Sequence, residues 1–173
     1  MSVAESKEQV LAALRAERAD WEALLEDLGP ERLTVAGVAG DWSVKDLLGH
    51  LAAYLRYWGA QLRGATTGAP PTPQDLFDSD TVPERYATGD EQNAAIHALY
   101  APLPPAVVLA KWRAAFDLLT EAIAALSPAD VTTPGRFAWA GDRPLAAAMA
   151  GDTYRHAGEH AAQVRAWLDR PAA

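Results

Sequence analysis

Apolar residues recur through this chain at helical spacing. Between residues 6 and 28, Val10, Leu11, Leu14, Trp21, Leu24, Leu25 and Leu28 follow the i, i+3, i+4, i+7 rhythm of an amphipathic helix, and Gly29-Pro30 ends it. Ser43-Val44-Lys45-Asp46 reads as a capping box, Ser43 being the N-cap and Asp46 the third helical residue. It opens a second helix reaching about residue 63, with Leu47, Leu48, Leu51, Leu55, Trp58 and Leu62 on its apolar stripe and His50 on a neighbouring face. Residues 64–90 lose the rhythm. Gly64, Gly68, Pro70, Pro71, Pro73 and Pro83, with Asp75, Asp78, Asp80 and Glu84, predict a long irregular crossover.

A short helix is expected over 90–100, ending before Pro102, Pro104 and Pro105. A third long helix follows over 105–126, its core face formed by Val108, Trp112, Phe116, Leu119, Ile123 and Leu126. Ser127-Pro128 ends it much as Gly29-Pro30 ends the first. Each break leads through a Gly-bearing loop and a Trp to a helix carrying histidine, which suggests two related helix pairs. The second such loop, 132–143, holds Phe137 and Trp139, and Pro144 opens a fourth helix through residue 168. The pattern predicts an all-α fold, a four-helix bundle with one long crossover.

Composition agrees with that picture. The chain has 173 residues, half of them hydrophobic, enough for one domain spanning 1–173 with a core of its own. Its Ala-rich make-up favours helix over sheet. The formal net charge is -8 and the basic residues are scattered, so neither nucleic acid nor an anionic membrane is an expected partner. No apolar run reaches the ~20 residues of a membrane span, and the first residues lack the apolar core of a signal peptide, so a cytoplasmic location is expected. The absence of cysteine excludes disulfides, thiolate metal ligands and a cysteine nucleophile.

Chemistry therefore falls to the histidines. His156 and His160 lie one helical turn apart and share a face, and with His50 they form a candidate three-nitrogen set with an open position for substrate. Hydrogen-bonded structural histidines of a bundle would look the same in sequence. The string His156-Ala157-Gly158-Glu159-His160 matches the H-x-x-E-H form of inverted zinc peptidases, but only Asp169 follows as an acid, which disfavours that chemistry and leaves Glu159 as a solvated residue or an outer-shell or proton-transfer group. Asp46 is explained by its cap. Asp152, unfavourable inside a helix, either holds His156 or faces water. Gly151 and Gly158 allow a neighbouring helix to come close, or reflect composition alone. Trp42, Phe137 and Trp139 could wall an apolar pocket or close the core. Tyr54, Tyr154 and Arg155 could add polar groups to that pocket or be packing or surface residues, and His97 reads as a packing or surface residue.

These residues resemble the DinB/YfiT-like superfamily of metal-binding four-helix bundles. The similarity lies in Gly40-Asp41-Trp42-Ser43-Val44-Lys45-Asp46-Leu47-Leu48-Gly49-His50, with histidine eight residues after Trp42, and in the late His156/His160 pair. The resemblance implies that His50, His156 and His160 bind a divalent metal ion, zinc or nickel, with water completing its shell, and that the chain forms a homodimer. Relatives include transferases and isomerases that use a low-molecular-weight thiol such as mycothiol or bacillithiol. Trp42-Ser43-Val44-Lys45-Asp46 and Asn93-Ala94-Ala95-Ile96 are also similar to the DfsB/ClbS-like branch, whose colibactin-resistance member opens a cyclopropane. The expectation is a metal-dependent enzyme, a thiol-dependent transferase or hydrolase acting on a small electrophilic substrate. The alternatives are a non-catalytic bundle that binds or sequesters a small molecule, and a helical interaction module with structural histidines.

Overall fold

Side chains that cap helix starts set the boundaries of this fold. In the computed structural model, which describes residues 6–79 and 88–170, Ser6, Ser43, Thr72 and Ser127 each accept from the backbone N–H three residues on. The residue there reaches back to the cap in turn. These reciprocal bonds satisfy amides that the first helical turn leaves unpaired. They open α1 (Lys7–Leu28), α2 (Val44–Thr67), α3 (Pro73–Phe77) and α6 (Pro128–Thr132). Thr88 caps α4 (Gly89–Tyr100), while α5 (Pro105–Ala125) starts with proline at its first position. The chain closes with α7 (Leu145–Met149) and α8 (Tyr154–Leu168); no strand occurs among the described residues.

The long helices pack as the apolar stripes require. α2 lies along α5, α1 packs on α5 and α8, and α8 also touches α2. One apolar core runs between them, with Trp21, Trp112, Phe116 and Tyr154 among its largest fully buried side chains. Trp21 and Trp112 meet at 6.2 Å, and the indole N–H of Trp21 donates to the Ala157 carbonyl at 3.0 Å, tying α1 to α8. α2 and α5 approach closely because Gly59 has no side chain: a Cβ there would come within 2.8 Å of Leu118 and 3.1 Å of the Leu119 amide. At the ends, Lys7 donates to the Ala124 and Leu126 carbonyls closing α5, and Lys45 donates to the Ala101 carbonyl closing α4.

Three details differ from the expected pattern. α2 continues one turn past residue 63, to Thr67, and Gly68 ends it in the left-handed conformation. The crossover contains α3, whose signal is the Thr72-Pro73 start with Asp75 completing the box; residues 80–87 of the crossover lie outside the described residues. The expected fourth helix is interrupted over residues 150–153. There the Thr153 hydroxyl donates to the Met149 carbonyl, and the Arg155 amide reaches back five residues to the Ala150 carbonyl. Such a widened turn re-aims the chain before α8 begins. Gly151 sits at this break with open space around it, so its small size serves no close helix approach; Gly158 does, facing the Glu17 carboxylate. No helix among the described residues is long and apolar enough to cross a membrane.

Candidate metal centre

His50 comes from the middle of α2, where it is 4% exposed, and His156 and His160 from the first two turns of α8. Their Nε2 atoms converge. His156 Nε2 lies 3.0 Å from His50 Nε2 and 3.0 Å from His160 Nε2. Among the described residues these three form the one group of histidine or acidic side chains with the geometry to hold a metal ion. Around a tetrahedral ion with bonds of ~2.0–2.1 Å, ligand nitrogens lie about 3.3 Å apart, close to the separations found here.

The hydrogen-bond arithmetic points the same way. A neutral imidazole nitrogen offers either one N–H or one lone pair. His160 Nδ1 pairs with Gln163 Oε1 at 2.7 Å; since the amide oxygen only accepts, the proton sits on Nδ1 and Nε2 presents a lone pair. His156 Nε2 has no state in which it fully satisfies both neighbours through well-formed hydrogen bonds, whereas a cation among the three does. Burial, reinforced by repulsion from His156 and His160, pushes the His50 pKa down to about 3. Burial and His160 likewise push His156 down to about 4, against the Asp152 backbone and Glu159; His160 is lowered too, chiefly by burial. All three rings are neutral at pH 7, the form that binds metal.

Aromatic side chains set the ring of His50. Its Nδ1 has no hydrogen-bond partner among the described residues. Trp42 meets the ring edge-on at 5.3 Å and Tyr54 at 4.9 Å, so packing holds it. Trp42 is placed by a tight turn at Gly40, φ +60, in which the Val38 amide donates to the Trp42 carbonyl. His97 stacks on Trp42 at 5.3 Å and lies 3.4 Å from Asp46. His97 is thus a packing residue, and Asp46, bonded to the Ser43 amide and hydroxyl, is the expected cap.

Beside the histidines lies a cavity of about 290 Å³, lined by Ala53, Tyr54, Tyr57, Phe77, Gln92, Ile96 and Asp152. Tyr54 belongs to both regions, its ring 5.2 Å from His156. Its hydroxyl lies 3.3 Å from Asn93 Oδ1, and burial with the nearby Asp152 raises its pKa. Asp152 neither holds His156 through its carboxylate nor simply faces water. It accepts from the Trp58 indole at 3.1 Å, and burial outweighs that bond in raising its pKa. Trp139 packs on Trp58 at 5.7 Å and Phe137 on Trp139 at 5.4 Å, so the aromatic pair of the second loop buttresses Trp58 rather than lining the cavity. Tyr154 is fully buried in the core, and Glu159 is exposed, as expected of packing and solvated residues.

Gln163 and Trp58 carry more of this site than their sequence context suggests, and Tyr54 takes the polar role that is one of its two readings. Tyr54 follows His50 by four residues and Gln163 follows His160 by three, spacings that put each on its histidine's face. The link between Trp58 and Asp152 spans 94 residues and has no local signal.

The DinB superfamily model matches residues 13–166. The chain belongs to the DinB superfamily. No functionally curated protein matches it in sequence. Among solved structures it is similar to DfsB, a sibling lethal factor precursor, at 18% identity over 98% of this chain and 99% of that one, TM-score 0.79. An uncharacterised protein from Escherichia coli UTI89 aligns at 15% identity over 97% and 95% of the two chains, TM-score 0.79. The colibactin self-resistance protein ClbS, solved in complex with double-stranded DNA, aligns at 16% identity over 99% and 100%, TM-score 0.77. These likenesses establish the all-α DinB-like fold.

The ClbS complex corrects one expectation. Net charge and scattered basic residues exclude a nucleic-acid partner in the sequence reading, yet a protein of this fold is solved on duplex DNA. Net charge sums over every face of a molecule, whereas duplex contact depends on one face, so the exclusion does not hold.

Proposed function

We propose that this chain, acting as a single helical domain, is a metal-dependent enzyme for a small electrophilic molecule, with His50, His156 and His160 holding one divalent ion, zinc or nickel. The observation that carries this reading is the convergence of three neutral Nε2 atoms beside a cavity of about 290 Å³. When bound, such an ion supplies Lewis acidity that favours the anionic form of a thiol or water near neutral pH. His50 gives a ligand held by edge contacts with Trp42 and Tyr54, and Gln163 keeps the proton of His160 away from Nε2. Tyr54 separates the histidines from the cavity and offers a hydroxyl that orients a substrate without ionising, because burial raises its pKa. A thiol nucleophile would come from a small-molecule cofactor, since the chain has no cysteine.

Metal analysis of protein purified without an affinity tag tests the site, and turnover of electrophiles with bacillithiol, mycothiol, coenzyme A or water alone tests the chemistry. Stoichiometric metal that is lost in His156→Ala, together with product formation lost in the same variant, is the expected result. Metal content no higher than in that variant sinks the site. The second reading is a resistance-type bundle that sequesters its ligand, supported by the likeness in fold to the colibactin self-resistance protein. Tight binding without turnover would favour it, and duplex DNA belongs among the ligands tried.

A further inference from the structure

The cavity next to the histidines has walls of one kind and charge at one point. Tyr54, Tyr57 and Phe77 give it aromatic surface, with the Tyr57 and Phe77 rings 5.8 Å apart and inclined by 31°. Phe77 is 1% exposed, and Tyr57 packs edge-on against Trp58, so the rings are held rather than free to collapse inward. Ala53, Ile96 and Gln92 complete the lining without charge. Asp152 is the one lining residue that carries a formal charge. Trp58 holds its Oδ2, and Oδ1 makes no hydrogen bond among the described residues. Arg143, the cation that acts on Asp152, is an exposed loop residue and no part of the lining.

A half-buried carboxylate with one oxygen fixed and one bare, facing aromatic walls, suits an organic cation. Aromatic faces attract ammonium groups through the ring quadrupole, and the carboxylate supplies the balancing charge. An uncharged or anionic head group would offer the Asp152 carboxylate no positive charge from within the cavity.

We infer that the Asp152 cavity is a specificity pocket for a substituted ammonium group, so that the molecule presented to the three histidines carries an organic cation at the end remote from its reacting atoms. This substrate class rests on the proposed metal-dependent function, but the pocket itself needs no metal. Tyr54, shared by the two regions, sets the direction: a ligand anchored at Asp152 passes the Tyr54 ring to reach His50 and His156.

Calorimetric or NMR titration with choline and with its uncharged isostere, in which carbon replaces the quaternary nitrogen, tests the inference. Choline's quaternary nitrogen has no lone pair and so cannot be mistaken for a metal ligand. Choline should bind wild-type protein about tenfold or more tighter than the isostere. Asp152→Asn keeps an acceptor for Trp58 and should abolish the preference while metal content stays unchanged. Tyr57→Leu should weaken choline and leave the isostere nearly as before. His156→Ala should lose metal yet keep the preference for choline, which separates failure of the metal centre from failure of this pocket. Equal binding of the two probes by wild-type protein, or a preference that survives Asp152→Asn, overturns the inference.

Discussion

The two helices that bring the histidines together are built differently. α2 is one continuous run, buried on several sides against α3, α4, α5 and α8, and it closes on α5 through Gly59. α8 begins after the widened turn at residues 150–153 and buries only Tyr154, Ala157, Ala161 and Val164. His50 is correspondingly almost fully buried, whereas His156 and His160 are half-buried at the start of a helix that the preceding turn has re-aimed. One histidine is part of the core, and two sit on an element whose direction is set by a turn. In the proposed site, one nitrogen is thus fixed by core packing and the other two by the turn that aims α8.

The sharpest test of this difference is removal of one histidine from each helix. His156→Ala takes away the nitrogen common to both 3.0 Å contacts and should abolish metal binding while leaving the metal-free protein as stable as before. His50→Ala should abolish metal binding as well, and in addition lower the stability of the metal-free protein by about 2 kcal/mol through the void left between Trp42 and Tyr54. Metal analysis with denaturant unfolding checks both. Equal stability of the two metal-free variants would erase the proposed distinction.

Gly59→Val should cost about 1–3 kcal/mol because α2 has no room to move away from α5. The pH dependence of metal-free protein comes next. His50 and His156 have folded pKa values pushed to about 3 and about 4, below the ordinary 6.5 that they regain on unfolding. Below pH 6.5 the unfolded chain binds protons that the folded chain refuses, so stability is complete above that pH and is lost as pH falls towards 4. His50 alone should account for on the order of 2 kcal/mol by pH 5. In His50→Ala the slope of unfolding free energy against pH should shrink, and an unchanged slope would remove this histidine as its source.

Gln163→Ala should weaken metal affinity roughly tenfold without changing stability, as expected for loss of an orienting bond to a ligand. The smallest effect belongs to the turn: Gly151→Ala, with open space around it, should change stability by no more than about 1 kcal/mol in either direction. A large loss there would mean that the turn before α8 depends on glycine itself.

How much of this could be read from the chain follows from the range of each interaction. The helix starts at Ser6 and Ser43, the apolar stripes, the stops at Gly29 and after Tyr100, and the pairing of His156 with His160 all rest on residues at most a few positions apart, so the sequence determines them. The all-α DinB-like bundle follows from those signals together with the Trp42 to His50 motif. The nucleic-acid exclusion failed because it used a whole-chain sum to judge a property of one surface. The break before α8 escaped the helical pattern because it depends on Thr153 and Ala150 carrying the backbone through a wider turn. Only the tertiary structure brings His50 to His156 across 106 residues, sets Tyr54 between histidines and cavity, and joins Trp58 to Asp152. Those contacts depend on how α2 and α8 face each other, which the threading of the whole bundle decides and no local spacing records.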